Sequence, residues 1–107
     1  MERKDDELLE WLQRWYESHC DGDWEHSWGI KVETLDNPGW YLTINLEGTA
    51  LEGRSFDWIK AEARDTDWVH YRAEANRFEA AGGPRNLTAM LGAFRDWAET
   101  GAPPPAG

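Results

Sequence analysis

The stretch that decides the fold is "GIKVETLDNPGWYLTINL", residues 29–46. Its two halves alternate apolar and polar residues, as half-buried strands do. Ile30 and Val32 share one face of the first half, and Leu42, Ile44 and Leu46 share one face of the second. Between them stands Asp36-Asn37-Pro38-Gly39. Proline at the first central turn position and glycine at the second is the type II signal. Strands over 29–35 and 40–46, joined as an antiparallel hairpin, are therefore predicted.

Working outward, "LEGTALEGRS" (46–55) reads as a loop, and 56–64 with 67–75 reads as a second hairpin around Asp65-Thr66. Val69, Tyr71 and Ala73 are expected to point one way, and Trp68, His70, Arg72 and Glu74 the other. "RFEAAGG" adds a short fifth strand. Upstream, residues 6–19 carry Leu8, Leu9, Leu12, Trp15, Tyr16 and His19 on a 3.6-residue period, with Trp11 at the edge of the stripe. Asp5 or Asp6 is expected to cap this helix and Gly22 to stop it. Downstream, residues 86–99 form a second helix with the stripe Leu87, Met90, Leu91, Phe94, Trp97 and Ala98, starting near Asn86 or Gly83-Pro84. The expected class is α+β: an antiparallel sheet of four to five strands flanked by an N-terminal and a C-terminal helix, as a two-layer sandwich. One domain is expected over 1–100, followed by a flexible Pro/Gly tail over 101–107.

A chain of 107 residues with 40% hydrophobic content can bury one modest core. The net charge is −10. It is uneven: residues 1–53 hold 13 acids against 4 bases, and residues 54–107 hold 8 against 7. Such a field repels phosphate backbones and anionic membranes, so neither nucleic acid nor membrane is an expected partner. It attracts a basic protein and speeds the encounter. The opening "MERKDDELLEW" has no apolar run of signal-peptide length, and a lone cysteine makes no internal disulfide, so a reduced, cytoplasmic protein is expected. Eight tryptophans are more than one small core needs. Most should be buried, and some should stand outside as binding anchors.

Chemically able side chains crowd into "HCDGDWEHSWG", His19 to Gly29. A reactive Cys20 would need nearby cations or a helix N-terminus. It follows a helix instead, and Asp21, Asp23 and Glu25 come next. Those three acids match positions 1, 3 and 5 of a calcium loop, but His26 and Val32 stand where glycine and glutamate are required. His19, Cys20 and His26 offer three zinc ligands without a fourth or a recognisable spacing. A small metal-binding domain or metal-dependent enzyme built on the His19–His26 cluster is thus the alternative reading. Carboxylate pairs for glycoside chemistry could be drawn anywhere from 21 acids, and "AGGPRN" lacks the lysine of a phosphate loop. Recognition remains. Clustered acids beside Trp24 and Trp28 are how a small protein grips a basic partner; the other reading is that Trp24 and Trp28 are core residues and the acids are merely solvated.

Residues 8–40, "LLEWLQRWYESHCDGDWEHSWGIKVETLDNPGW", resemble the immunity protein 53 family of bacterial polymorphic-toxin systems. "AGGPRNL" (81–87) and the helix after it fit the same family, and the similarity runs over roughly 8–98. The family's signature maps onto Cys20, Asp21, Gly22, Asp23, Trp24, Glu25 and His26, then Gly29, Asp36, Asn37, Pro38, Gly39 and Trp40. His19 stands where glutamine is expected and Trp28 where tyrosine is, changes that bear on partner specificity more than on class. The resemblance implies an inhibitor that binds and neutralises a cognate toxin domain, not an enzyme, and no cofactor. A basic nuclease is the toxin class that the charge suits. The expected partner-binding residues are Asp21, Asp23, Trp24, Glu25, His26, Trp28, Asp36 and Trp40. Both a monomer and a homodimer are compatible with the sequence.

Overall fold

A computed structural model describes residues 4–104, with side chains from residue 7 onward. In chain order the elements are α1 (Lys4–His19), α2 (Trp24–Ser27), β1 (Ile30–Leu35), β2 (Gly39–Asn45), β3 (Phe56–Arg64), β4 (Asp67–Glu74), β5 (Arg77–Gly82) and α3 (Leu87–Thr100). Every strand pairing is antiparallel, and the order is β1-β2-β5-β4-β3. The last strand in sequence therefore sits in the centre and joins the two hairpins. Its composition explains the placement: Phe78 and Ala80 are buried with no exposure at all.

The two hairpins form where the alternation places them, and β4 keeps its expected faces. Val69, Tyr71 and Ala73 are buried, whereas Trp68, His70 and Arg72 are half-exposed and Glu74 is exposed. A third hairpin joins β4 to β5 through Ala75 and Asn76, at φ 53° and 60°. Two consecutive left-handed residues make a type I′ turn, whose twist suits the flanking strands. Asparagine tolerates that conformation. Alanine does not signal it, which hides the turn from a reading of the sequence.

The first hairpin's turn departs from expectation. Leu35 pairs with Gly39, so Asp36, Asn37 and Pro38 make the connection. The Asn37–Pro38 peptide is cis, and Gly39 has no positive φ, so the turn is not type II. Glycine is needed at 39 for another reason. A Cβ there would collide with the carbonyl oxygen of Gly82 on the neighbouring β5.

Both long helices lie on one face of the sheet. The helix α3 buries Met90, Leu91, Ala93, Phe94 and Trp97 against β4 and β5. It ends at Gly101, whose left-handed backbone (φ 75°) lets its N–H reach the Trp97 carbonyl at 2.7 Å. The rings of Phe78, Phe94, Trp97 and Phe56 meet at centroid distances of 5.1–6.5 Å. The helix α1 packs on α3, with Trp11 and Trp15 edge-on to Phe94 at 6.0 and 5.0 Å. It is described from Lys4, and Asp5 and Asp6 lie within the helix and not at its cap. Nor does Gly22 stop it, since the helix has already ended at His19. Of the tail expected over 101–107, residues up to Pro104 are described, and Pro104 is buried beside Ala61, Tyr71 and Gly92. The rest of that tail, 105–107, lies outside the described residues. Among the described residues no helix is long and apolar enough to cross a membrane.

Candidate functional site: an apolar groove closed by an acidic loop

The apolar stripe of α1 is too broad for one contact. Leu8 is buried, and Trp11, Leu12, Trp15 and His19 are partly so. Leu9 and Tyr16, on the adjoining flank, stay 50% and 40% exposed. That flank faces the outer strand β1. Leu12, Gln13, Tyr16, Trp28, Gly29 and Ile30 line an open groove between them. Leu9 extends it one helical turn beyond Leu12, and Val32, 47% exposed, extends it two residues beyond Ile30. Of the five large hydrophobic side chains that stand exposed among the described residues, four are Leu9, Tyr16, Trp28 and Val32. Exposed apolar side chains grouped on one flank make this groove the candidate site.

The loop after α1 closes one end of the groove and is held by its own acids. Asp21 Oδ1 accepts the backbone N–H of Asp23 at 2.9 Å and of Trp24 at 3.0 Å. Glu25 reaches back to accept the N–H of Asp21 at 3.0 Å and of Gly22 at 2.8 Å. These four bonds fix the turn that leads into the single-turn α2, whose own N-cap Asp23 makes no side-chain cap bond. Gly22, at φ 97°, supplies the left-handed step. The Trp24 and Asp23 amides hold the Asp21 carboxyl below its ordinary range. Glu25 is held low chiefly by its own amide, then by those of Gly22 and Asp21 and by His26. Its charge also reaches the Tyr16 hydroxyl, which is pushed up first by the Cys20 thiol and then, more weakly, by Glu25. Tyr16 therefore stands both in the groove and next to the start of the acidic loop, its carbonyl taking the Cys20 thiol.

Trp24, expected among the partner-binding residues, is buried in the free chain. It is 6% exposed, donates its indole N–H to the Glu47 carbonyl at 2.6 Å, and meets Trp15, Tyr16 and His19 at 5.5–6.2 Å. An indole in a loop pays for its size by burial, and here it pins the loop to the β2–β3 connection. Trp28, Asp21, Asp23 and His26 are exposed and Glu25 half-exposed, around the same end of the molecule. Asp36 and Trp40 are not brought to them. They lie at the far end of β1 and β2, about 17 Å along the strands. Trp40 is committed there to the Pro84 carbonyl at 2.9 Å.

The cluster that looked metal-binding is dispersed. His19 lies on Trp15 with ring centroids 4.4 Å apart, and its Nδ1 is 2.7 Å from the Trp15 carbonyl. The Cys20 thiol donates to the Tyr16 carbonyl at 3.4 Å. Among the described residues no three His, Cys, Asp or Glu side chains converge as a metal site.

One feature escaped the sequence pattern. On the sheet face that the helices leave open, Glu79 is 7% exposed. Tyr41 donates to it at 2.6 Å, the Arg72 guanidinium pairs with it, and Arg72 in turn lies 4.6 Å over the Trp58 ring. Burial opposes its ionisation most strongly, yet the Tyr41 and Arg72 bonds leave the carboxyl net low. The sequence reading marked only a short fifth strand here, and the partners that cover Glu79 come from β2 and β4, 38 and 7 residues away.

A family model described as Immunity protein 53 matches residues 9–99. No curated protein and no solved structure matches the chain.

Proposed function

We propose, from the premise that the chain belongs to the immunity protein 53 family, that it is a cytoplasmic inhibitor that binds a cognate toxin domain through the groove between α1 and β1. The observation that carries the site is that exposed Tyr16 and Trp28 line one groove, with exposed Leu9 and Val32 on the same helix and strand and the Asp21–Glu25 loop joining the two. Tyr16 and Trp28 are the aromatic anchors, since such residues dominate interface energetics when a partner desolvates them. Asp21, Asp23 and Glu25 supply the acidic rim, and His26 stands beside them. Asp21 and Glu25 do this while also shaping the loop, so their charge is presented in a fixed place. Asp36 and Trp40 fall outside this surface, and the proposal leaves them in structural roles.

The partner surface should be basic with an apolar centre. A basic nuclease domain has that chemistry, and its active site is an obvious place to plug. The test is the association rate with the purified toxin domain from 50 to 500 mM salt. Steering by a chain of net −10 predicts a fall of tenfold or more, on the order seen for charge-guided pairs. A salt-independent association rate would refute the electrostatic part of the proposal. The alternative, a metal-dependent domain, predicts stoichiometric zinc or calcium in the purified protein and a thermal shift on adding it.

A further inference from the structure

The two edges of the sheet differ. At one edge β3 pairs with β4 through two register breaks, between Phe56 and Ile59 and between Glu62 and Arg64. Bulges of this kind twist an edge away from further pairing. At the other edge β1 pairs with β2 over six consecutive residues without a break. Its four central residues, Lys31 to Thr34, are all exposed. A regular, uncovered edge with apolar Val32 at its centre is what natural sheets ordinarily avoid.

The backbone groups on that edge can be assigned. Asn45 donates its N–H to the Gly29 carbonyl at 3.0 Å, so 29 and 45 are a hydrogen-bonded pair. Antiparallel pairs alternate. Lys31 and Glu33 therefore bond to β2, while the N–H and C=O groups of Ile30, Val32 and Thr34 point outward. The side chains of these same three residues lie on the groove side of the sheet, because Val32 is opposite Leu42 and Ile30 opposite Ile44. Free backbone bonds and an apolar wall thus run side by side along one line.

Resting on the toxin-inhibitor reading, we infer that the partner adds an extended segment to β1 as a sixth, edge strand. Main-chain bonds to Ile30, Val32 and Thr34 would give register, and the groove formed by Leu12, Tyr16, Trp28 and Ile30 would take the segment's alternate apolar side chains. Charge selects a basic segment of the toxin over a second copy of this chain. Residues 1–53, which hold α1, the acidic loop and β1, carry 13 acids against 4 bases. Pairing β1 with its own copy would bring two such halves together, whereas a segment rich in Lys and Arg neutralises one.

Val32→Pro is the discriminating variant. Proline is tolerated on an edge strand where the N–H faces solvent, so the β1–β2 ladder survives while the outward donor is lost and its space is filled. Val32→Ala trims the side chain but keeps the N–H. The probe is the toxin domain encoded beside this chain, co-purified as the complex. Strand addition predicts that Val32→Pro weakens the complex at least about tenfold, and Val32→Ala by several-fold less. Hydrogen exchange on the wild-type complex gives an independent readout that needs no variant. The Val32 and Thr34 amides should exchange fast in the free protein and slow by about a hundredfold or more on binding, while Lys31 and Glu33 are protected in both. If the toxin binds, the Val32 and Thr34 amides stay fast, and Val32→Pro binds as tightly as wild type, strand addition is wrong and the inhibitor reading stands. Absence of any binding by wild type defeats both. Protection of these amides in the protein alone, with a doubled mass in sedimentation that Val32→Pro abolishes, would assign the edge to a second copy and overturn the inference.

Discussion

Trp24→Ala separates scaffold from grip most sharply. Trp24 is 6% exposed and its indole N–H bonds the Glu47 carbonyl. A buried tryptophan removes about 200 Å² from water, worth roughly 5 kcal/mol at about 25 cal/mol per Å² as an upper bound. Alanine keeps part of that area, and a surface loop can settle into part of the space, so a loss of about 3 kcal/mol is expected. For a chain of this length an unfolding entropy near 0.22 kcal/mol per kelvin converts that to a fall in Tm of about 13 °C. Trp24→Phe keeps an aromatic ring against Trp15 and Tyr16 but strands the Glu47 carbonyl, and should cost about 1 kcal/mol. Trp28→Ala, at a 40% exposed side chain, should cost about 1 kcal/mol or less. Urea unfolding followed by far-ultraviolet circular dichroism measures all three. A Trp24→Ala midpoint within about 1 kcal/mol of wild type would refute the assignment of Trp24 to the scaffold.

Three other outcomes follow from the geometry. The Asp21 and Glu25 carboxyls are lowered in the folded loop, so their contribution is fully present above their unfolded values, near pH 4, and is lost as pH falls through the folded ones. Melting curves between pH 6 and 2.5 should show a shallower acid loss in Asp21→Asn/Glu25→Gln than in wild type. Gly39→Ala drives a Cβ into the Gly82 carbonyl and should destabilise by about 2 kcal/mol or more through overpacking, read as a lower urea midpoint. Glu79→Gln keeps the shape but removes the charge opposite Arg72. A cost of about 2 kcal/mol is expected, with a flattened stability profile between pH 5 and 3.

Much of the sheet was legible because strand alternation is a local signal. The hairpins around 36–39 and 65–66 and the inward set Val69, Tyr71 and Ala73 needed only the two-residue period. The central position of β5 was not legible, since order within a sheet depends on contacts far apart in sequence. Nor was the role of Gly39, which answers to a neighbouring strand and not to its own φ. At the site, periodicity marked Leu9 and Tyr16 as one stripe with Leu8 and Trp15. Only the placement of β1 divides that stripe into a buried half and a groove-lining half. Trp24 and Trp28 are alike as letters. They part because the Glu47 carbonyl lies beneath the loop to accept the Trp24 indole N–H, a contact far away in sequence that no local spacing signals.

The central claim is that the groove of α1 and β1 neutralises a toxin. Growth of cells expressing the neighbouring toxin domain tests it most directly, with wild type, Tyr16→Ala/Trp28→Ala and Trp40→Phe supplied in trans at matched, folded levels. The account predicts rescue by wild type and Trp40→Phe and loss of rescue by the groove variant. Full rescue by Tyr16→Ala/Trp28→Ala, or no rescue by wild type, would contradict it.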